Sequence, residues 1–166
     1  MKKLNRSIFL GLALLLCACQ SSPPAATVQG PASTPSAQVE GEGDHGHEHR
    51  PPHGGTLVLI GDHFAMVEVL WNQADGNLTL YVLDGEAEKP IRCKQAKLTL
   101  VVEEVRYDLK AVANDLTGEK VGDSSQFVGT LDSLKGRQEW QGDLLDFEVR
   151  GSKFAKLRVD YPKGNH

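Results

Sequence analysis

Apolar and polar residues alternate along the chain from about His53 to Tyr161. In residues 105–113 all odd positions are apolar and three of the four even positions are charged, and residues 145–150 and 155–161 repeat this pattern. Successive side chains of a β-strand point to opposite faces, so a period of two predicts strands with one buried and one solvated face. No segment shows the period of about 3.6 residues that indicates a helix. The sequence therefore predicts an all-β fold.

Turn-forming dipeptides separate the predicted strands. They are Gly61-Asp62, Asp75-Gly76, Asp84-Gly85, Thr117-Gly118 and Gly151-Ser152. The first and the last place glycine at the first position of a two-residue loop, as a type II′ hairpin requires. About seven or eight short strands predict one antiparallel β-sandwich of the immunoglobulin-like kind, spanning residues 53–166.

Two predicted strands, Leu78–Leu83 and Leu98–Val102, are apolar on both faces and are expected to be central in the sheet. Aromatic residues are expected to supply much of the core, together with the aliphatic ones. They are Trp71, Tyr81, Tyr107, Phe127, Phe147 and Phe154.

The first residues have the order of a secretory signal peptide. Three basic residues and no acidic one precede an apolar run from Ile8 to Leu16. That run is about nine residues long, whereas a helix that crosses a bilayer needs about twenty. We therefore predict that residues 1–18 are a signal peptide and not a permanent membrane span.

The sequence Leu16-Cys17-Ala18-Cys19 resembles the lipobox of bacterial lipoproteins, in which a leucine and then a small residue precede the modified cysteine. Cys17 does not fit because the large Leu16 precedes it, so we expect lipid on Cys19 and a membrane-anchored protein of the cell envelope. In a Gram-negative cell, Gln20 resembles a signal for the outer membrane, with the domain facing the periplasm. The alternative is a secreted protein that is cut near Ala18 and carries no lipid.

Removal of this leader would take away three basic residues and no acidic one, so the net charge would change from −4 to −7. A surface of this sign repels nucleic acid, and we expect no nucleic-acid partner. Cys93 would then be the only free thiol, because Cys17 is lost and Cys19 is lipidated, so no internal disulfide can form. Cys93 lies between Arg92 and Lys94 and is expected to be either a reactive thiol or a small buried side chain.

Residues 20–52 contain six of the eight prolines, many small residues and no aromatic side chain. Such a segment cannot bury enough apolar surface to offset the entropy lost on ordering it. We therefore predict a disordered tether over residues 19–52. As a flexible coil it would span about 30 Å between the lipid and the domain.

Five of the six histidines fall between His45 and His63. His45, His47 and His49 alternate in one short stretch, and His53 follows it. Neutral imidazole is a good ligand for Cu(II), Zn(II) and Ni(II), and short His-rich tracts can bind these metals. We therefore predict a weak site for a divalent transition metal at these residues. The alternative is that the tract is solvated linker without a ligand.

The Gly61-Asp62 turn relates His53 to His63 through one predicted hairpin. A two-residue loop places His53 seven steps from the turn, so the two imidazoles would lie about 23 Å apart and could not share an ion. In that register His53 is a diagonal neighbour of Glu68, which we predict to join the metal site. His63 is predicted to be a structural turn residue beside Asp62.

Several motifs between His53 and Val102 recur together in a known pattern. They are Pro52-His53-Gly54-Gly55, Gly61-Asp62-His63, a strand ending near Trp71, Leu80–Asp84 and Lys89-Pro90-Ile91. This combination resembles small bacterial lipoproteins without an assigned function, and it is similar to an N-terminal β-domain of periplasmic adaptors in heavy-metal efflux pumps. The resemblance implies a metal-efflux component or another envelope protein as partner. The chain is too short for the other adaptor domains, so it would be an accessory or stand-alone module.

The sequence contains no nucleophile elbow, no Gly-rich phosphate loop and no His-Glu-x-x-His helix, so we expect no enzymatic activity. We predict an envelope lipoprotein that binds a divalent transition metal through its His-rich segment, as a buffer, sensor or delivery module. The alternative is a metal-free β-sandwich domain that contacts another protein of the cell envelope. An enzyme that uses the thiol of Cys93 is the third possibility.

Overall fold

Eight β-strands form the framework of residues 49–165, the part of the chain that this computed structural model describes. They are β1 (Thr56–Ile60), β2 (Ala65–Asn72), β3 (Asn77–Leu83), β4 (Lys97–Val102), β5 (Val105–Ala111), β6 (Gln126–Thr130), β7 (Trp140–Val149) and β8 (Ser152–Tyr161). A short 3₁₀ turn, Asp132–Leu134, precedes β7. No helix in this part of the chain is long and apolar enough to span a membrane. The predicted all-β class is confirmed.

All eight strands pair antiparallel in one sheet with the order β1-β2-β3-β6-β5-β4-β7-β8. The sheet curls until its two edges approach each other. The Thr56 hydroxyl donates to the carbonyl of Pro162 at 3.1 Å, and the side-chain amide of Asn165 donates to the carbonyl of Leu59 at 3.1 Å. The two-sheet immunoglobulin-like arrangement is therefore not confirmed, because the strands of the described residues share one nearly closed sheet.

Inward-facing side chains of the strands meet in one core. Phe127 and Phe147 are fully buried there, as predicted, and Trp140 is a buried aromatic residue that the prediction omits. Three of the other predicted core residues are only partly buried against it: Trp71, Tyr107 and Phe154. Strands β3 and β4 contain the two segments predicted to be central, and each has a neighbouring strand on both sides.

A second, smaller apolar cluster lies on the outer face of β1, β2 and β3. Its buried members are Leu57, Met66, Leu83 and Ala87. Because this cluster covers the outer face while the core covers the inner face, β2 is buried on both sides from Ala65 to Val69. Glu68 occupies an outer-face position in this doubly buried segment, directly between Leu57 and Tyr81 of the flanking strands.

The turn between β1 and β2 differs from the predicted two-residue loop. Ile60 pairs with Ala65 rather than with His63, so the loop has four residues and the hairpin register shifts by two. The amide of Phe64 donates to the carbonyl of Ile60 at 3.2 Å. The loop packs closely on the connection after β3, where a Cβ atom on Gly85 would lie only 1.8 Å from the carbonyl oxygen of His63. This long-range contact favours the wider turn.

Strands β7 and β8 are joined by a two-residue hairpin that begins one position earlier than predicted. Val149 pairs with Ser152, so the loop consists of Arg150 and Gly151. Their φ angles are 50° and 78°. Two successive positive φ angles are typical of a type I′ turn rather than of the predicted type II′ turn.

The inward and outward positions also shift by one residue in the middle of this hairpin. Leu144 is buried and Leu145 is half-buried, which reverses the prediction, whereas Phe147 is buried as predicted. Asp146, which lies between Leu145 and Phe147, has a φ of 50°, so the extended backbone is interrupted there. On β8 the residue opposite this interruption, Ala155, is exposed although the alternation predicts an inward position.

Candidate functional site

Glu68 is an acidic residue in the middle of a strand whose neighbours are all apolar, and its side chain is 0% exposed. A carboxylate in such surroundings is costly unless hydrogen bonds replace its lost hydration. The segment that precedes β1 supplies these bonds. It folds back over the outer face of β2 through a turn in which the amide of Gly54 donates to the carbonyl of Pro51 at 3.2 Å.

Both oxygens of the Glu68 carboxylate are engaged by this segment. Oε1 accepts hydrogen bonds from the backbone amides of His53 at 2.8 Å and of Gly55 at 2.9 Å. Oε2 lies 2.6 Å from Nδ1 of the His53 ring. These three contacts satisfy the buried carboxylate and hold the backbone of residues 53–55 against β2.

Gly55 is required for this close approach. A Cβ atom at this position would lie 2.6 Å from the carbonyl oxygen of Val69 and 2.9 Å from Cγ of Glu68. Any larger residue would push the segment away from β2 and lengthen the hydrogen bonds to the carboxylate. Gly55 therefore allows the backbone to enter the sheet close to β2 and makes the approach to Glu68 possible.

The ring of His53 is held on its face as well as at its edge. It stacks on the ring of Tyr81 with centroids 3.9 Å apart and planes inclined by 12°. The Tyr81 hydroxyl accepts a hydrogen bond from the side-chain amide of Gln126 at 3.1 Å. Burial, and then the negative charge of Glu68, raise the pKa of Tyr81, so its hydroxyl stays protonated at neutral pH. The stacked ring is therefore a neutral support for His53.

Nε2 is the ring nitrogen of His53 that remains for a ligand. A carboxylate can only accept hydrogen bonds, so the Nδ1 atom beside Glu68 carries the proton, and neutral His53 has its lone pair on Nε2. The side chain of His53 is 42% exposed. This combination of a buried carboxylate and an oriented, partly exposed imidazole is the arrangement that commonly supports metal-binding histidines.

A second pair of histidines lies at the turn between β1 and β2. The rings of His49 and His63 have centroids 5.1 Å apart and planes inclined by 52°. Nε2 of His49 is buried and has no hydrogen-bond partner among the described residues. His63 lies at the turn with Nδ1 3.3 Å from Asp62, as predicted, but its proximity to His49 is a contact that the sequence prediction missed. Nothing in the spacing of these residues indicates it, since it depends on the path of the chain before β1.

The structure thus brings His53 and Glu68 together, and it places His49 beside His63 instead. Within residues 49–165 no group of three or more His, Cys, Asp or Glu side chains could by itself hold a metal ion. An ion bound at either pair would therefore need further ligands.

Three of the predicted site residues lie outside the described residues: Cys19, His45 and His47. The predicted signal peptide and most of the predicted tether fall there as well. The end of that tether, from His49 to Pro52, belongs to the described part, where Pro51 is half-buried.

The sequence left Cys93 as either a reactive thiol or a small buried side chain, and in the structure it is buried. Its side chain is 2% exposed. Burial, and then the charge of Glu148, raise the pKa of the thiol to about 12. The thiolate is therefore almost absent at neutral pH, and the residue is a poor nucleophile and a poor metal ligand.

Comparison of the chain with protein-family models, with curated proteins and with solved structures found no match.

Proposed function

We propose that this protein is a membrane-anchored lipoprotein of the cell envelope that binds a divalent transition metal weakly, as a buffer, sensor or delivery module. The observation that carries the proposal is the contact between Glu68 and His53. A buried carboxylate that accepts from Nδ1 fixes the tautomer and the orientation of the ring, and it raises the basicity of Nε2 toward a metal.

The remaining ligands would come from the histidines that precede the strand. His45, His47 and His49 lie within eight residues of His53 in the sequence, so a single ion could be shared among them. Because the rings of His49 and His63 are neighbours, an ion held by His49 could take a further nitrogen from His63. A site assembled from separate pieces binds weakly, since ordering its ligands opposes binding. Its preference should follow the intrinsic order, with Cu(II) ahead of Ni(II) and Zn(II).

The proposed location in the cell envelope follows from the signal-peptide-like sequence at the N-terminus. The order of basic residues, an apolar run and Leu16-Cys17-Ala18-Cys19 supports lipid attachment at Cys19 and anchoring to a membrane, which in a Gram-negative cell would be the outer membrane. A metal-efflux component of the envelope is the partner that such a module would serve. We propose no catalytic role.

Calorimetric titration of the full-length protein with Cu(II) at pH 7.5 tests the proposal. Replacing His45, His47 and His49 together with alanine should remove most of the binding, and His53→Ala should weaken it by at least about tenfold. His63→Ala should weaken it less. His166→Ala serves as the control, because it removes one imidazole outside the His-rich segment. If the triple variant and His53→Ala bind Cu(II) as the parent does, the metal proposal is wrong.

One observation favours the alternative, a metal-free interaction domain. The connection between β5 and β6 presents two apolar side chains to solvent, with Leu116 98% and Val121 59% exposed. The connection is nevertheless well braced, because the Glu119 carboxylate accepts hydrogen bonds from the backbone amide and the hydroxyl of Ser125 at 2.8 and 2.5 Å. A rigid loop with an exposed leucine at its tip is suited to insertion into a partner's pocket.

A photo-crosslinking residue placed at position 116 tests this alternative in intact cells, and the same residue at the exposed position Lys120 is the matched control. One defined crosslinked partner from position 116, with no change in Cu(II) binding, would favour the interaction domain. Equal, diffuse crosslinking from both positions would count against it.

A further inference from the structure

A cleft with aromatic and amide side chains opens where β2 ends near the end of β8. It comprises two adjoining cavities of about 440 and 490 Å³, a size typical of small-molecule sites. Four residues line both cavities: Trp71, Asn72, Tyr161 and Pro162. Gln73 and Gln138 complete the first cavity. The segment from Gly54 to Thr56, with Val69 and Leu70, completes the second.

The lining of this cleft contains no Asp, Glu, Lys, Arg or His. Although 24% of the residues in the chain are charged, none of them lines this cleft, so its surface is suited to a neutral ligand. An anionic or cationic ligand would lose hydration on entering and would find no opposite charge to compensate for it. The occupant should therefore be polar without being ionic.

The aromatic part of the cleft is built rigidly. The rings of Trp71 and Trp140 meet edge to face with centroids 6.1 Å apart, and Trp140 stacks on Tyr161 at 5.7 Å and 15°. The indole nitrogen of Trp71 donates to the carbonyl of Arg137 at 2.9 Å. Trp140 is buried behind the other two rings, which remain half-exposed at the cleft. Two amphipathic rings are thus held in place before any ligand arrives.

The polar part of the cleft has unused hydrogen-bonding capacity. The exposed side-chain amides of Gln73 and Gln138, and the hydroxyl of Tyr161, make no hydrogen bond to any residue in the range 49–165. Each amide offers a carbonyl acceptor and two N–H donors. Groups of this kind suit a ligand that carries several hydroxyl or acetamido groups.

We propose that this cleft binds a neutral saccharide. A pyranose ring has a face of C–H groups, which the negatively polarised face of an aromatic ring attracts, and an edge of hydroxyl groups, which the glutamine amides can reach. Trp71 and Tyr161 supply the rings, and Gln73 and Gln138 supply the amides. This activity is independent of metal binding, although Gly54 and Gly55 border both sites.

Titration of the full-length protein with two neutral probes, tri-N-acetylchitotriose and maltotriose, tests the proposal, with trigalacturonate as the charged comparison. The buffer contains a chelator, so that metal plays no part, and a zwitterionic detergent that has no sugar headgroup. We expect at least one neutral trisaccharide to bind and to change the tryptophan emission, mainly through the half-exposed Trp71. Trigalacturonate should not bind.

Variants separate this cleft from binding elsewhere. Trp71→Ala should weaken trisaccharide binding by about two- to tenfold, as loss of an aromatic stacking contact of about 0.5–1.5 kcal/mol implies. The double variant Gln73→Ala/Gln138→Ala changes only exposed side chains, so it should fold as the parent does and still bind more weakly. Tyr107→Ala is the control, because this half-buried tyrosine does not line the cleft.

The proposal is overturned if neither neutral trisaccharide binds at millimolar concentration. It is equally overturned if the folded double glutamine variant binds as the parent does. Binding of a neutral octapeptide in place of both trisaccharides would assign the cleft to a peptide and would also reject the saccharide.

Discussion

Nδ1 of His53 lies 2.6 Å from Oε2 of Glu68, and the same carboxylate accepts the backbone amides of His53 and Gly55 through its other oxygen. One buried side chain of β2 therefore fixes both the path of the chain before β1 and the orientation of an imidazole ring. Stability and ligand binding are linked at this point, so a change at Glu68 should affect both.

Replacing Glu68 with glutamine should lower the free energy of unfolding by about 1–3 kcal/mol, because the hydrogen bonds to a neutral amide are weaker than the charge-assisted bonds that the carboxylate accepts. It should also weaken Cu(II) binding by about 10–100-fold, as loss of a partner behind a metal-binding histidine does. The glutamine amide would donate to Nδ1 and so favour the tautomer with the proton on Nε2, which leaves the exposed side of the ring without a lone pair for a metal. Urea denaturation and calorimetric titration measure the two effects.

The control for this change is Glu139→Gln, an exposed glutamate between the 3₁₀ turn and β7, which should alter neither quantity. In the double variant Glu68→Gln/His53→Ala the two losses of Cu(II) affinity should not add, because both act through one ring nitrogen. Full additivity would show that Glu68 does not act through His53.

Replacing Gly55 with alanine should destabilise the protein by about 3 kcal/mol. The added Cβ would lie 2.6 Å from the carbonyl oxygen of Val69, and overpacking of this kind costs about 1–3 kcal/mol before the loss of the hydrogen bond to Glu68 is counted. Gly54→Ala is the matched comparison. It meets no atom within 4 Å but has a φ of 76°, so only backbone strain of about 1–2 kcal/mol applies. Equal losses in thermal denaturation would contradict the close approach at Gly55.

Cys93 should resist alkylation in the folded protein. Its 2% exposure and its pKa of about 12 leave almost no accessible thiolate at pH 8. Mass spectrometry after iodoacetamide treatment should show an unmodified thiol under native conditions and full modification in urea. Rapid labelling of the native protein would restore the reactive-thiol interpretation. The control variant Cys93→Ser should show no labelling at position 93 in either condition.

Asp143 on β7 should contribute a pH-dependent part of the stability. Partial burial raises its pKa, but hydrogen bonds and charges from Lys156 and Arg158, 3.0 and 3.3 Å away, lower it by more. A carboxyl with a depressed folded-state pKa stabilises the protein above its unfolded pKa, about 3.9, and loses this contribution as the pH falls through the folded value. Asp143→Asn should therefore be less stable at pH 7 and should lose less stability than the parent below about pH 4.

Urea denaturation at a series of pH values checks this sign. Asp115→Asn is the control, because Asp115 is exposed and forms no ion pair with the described residues. If the free energy of unfolding of Asp143→Asn and of Asp115→Asn falls equally as the pH is lowered, the ion pairs of Asp143 add nothing to folding.

Much of the local structure could be read from the order of residues. The two-residue alternation predicts the strands because consecutive side chains of an extended chain face opposite sides, whatever the strand pairs with. The contact between His53 and Glu68 was also predicted, although from a register that is wrong by two residues. The contact forms in the actual register because the turn before β1 and the length of the glutamate side chain allow the carboxylate to reach His53.

The remaining features depend on residues that are distant in the sequence. The four-residue turn after Ile60 packs on Gly85, and the approach of His49 to His63 depends on the path of the chain before β1. The alternation of apolar and polar residues around these positions indicates neither contact. The single sheet in place of two has the same origin, since alternation specifies which side of a strand is buried but not which strand lies beside it.

The sequence by itself therefore determined the all-β class, the approximate strands, the break in composition near Pro52 and the chemistry available in the His-rich segment. Only the tertiary structure decided the strand order, the turn geometry, the burial of Cys93 and the cleft beside Trp71. The physical reason is that periodicity and composition are properties of neighbouring residues, whereas register, burial and cavities arise from the packing of segments that meet only after the chain has folded.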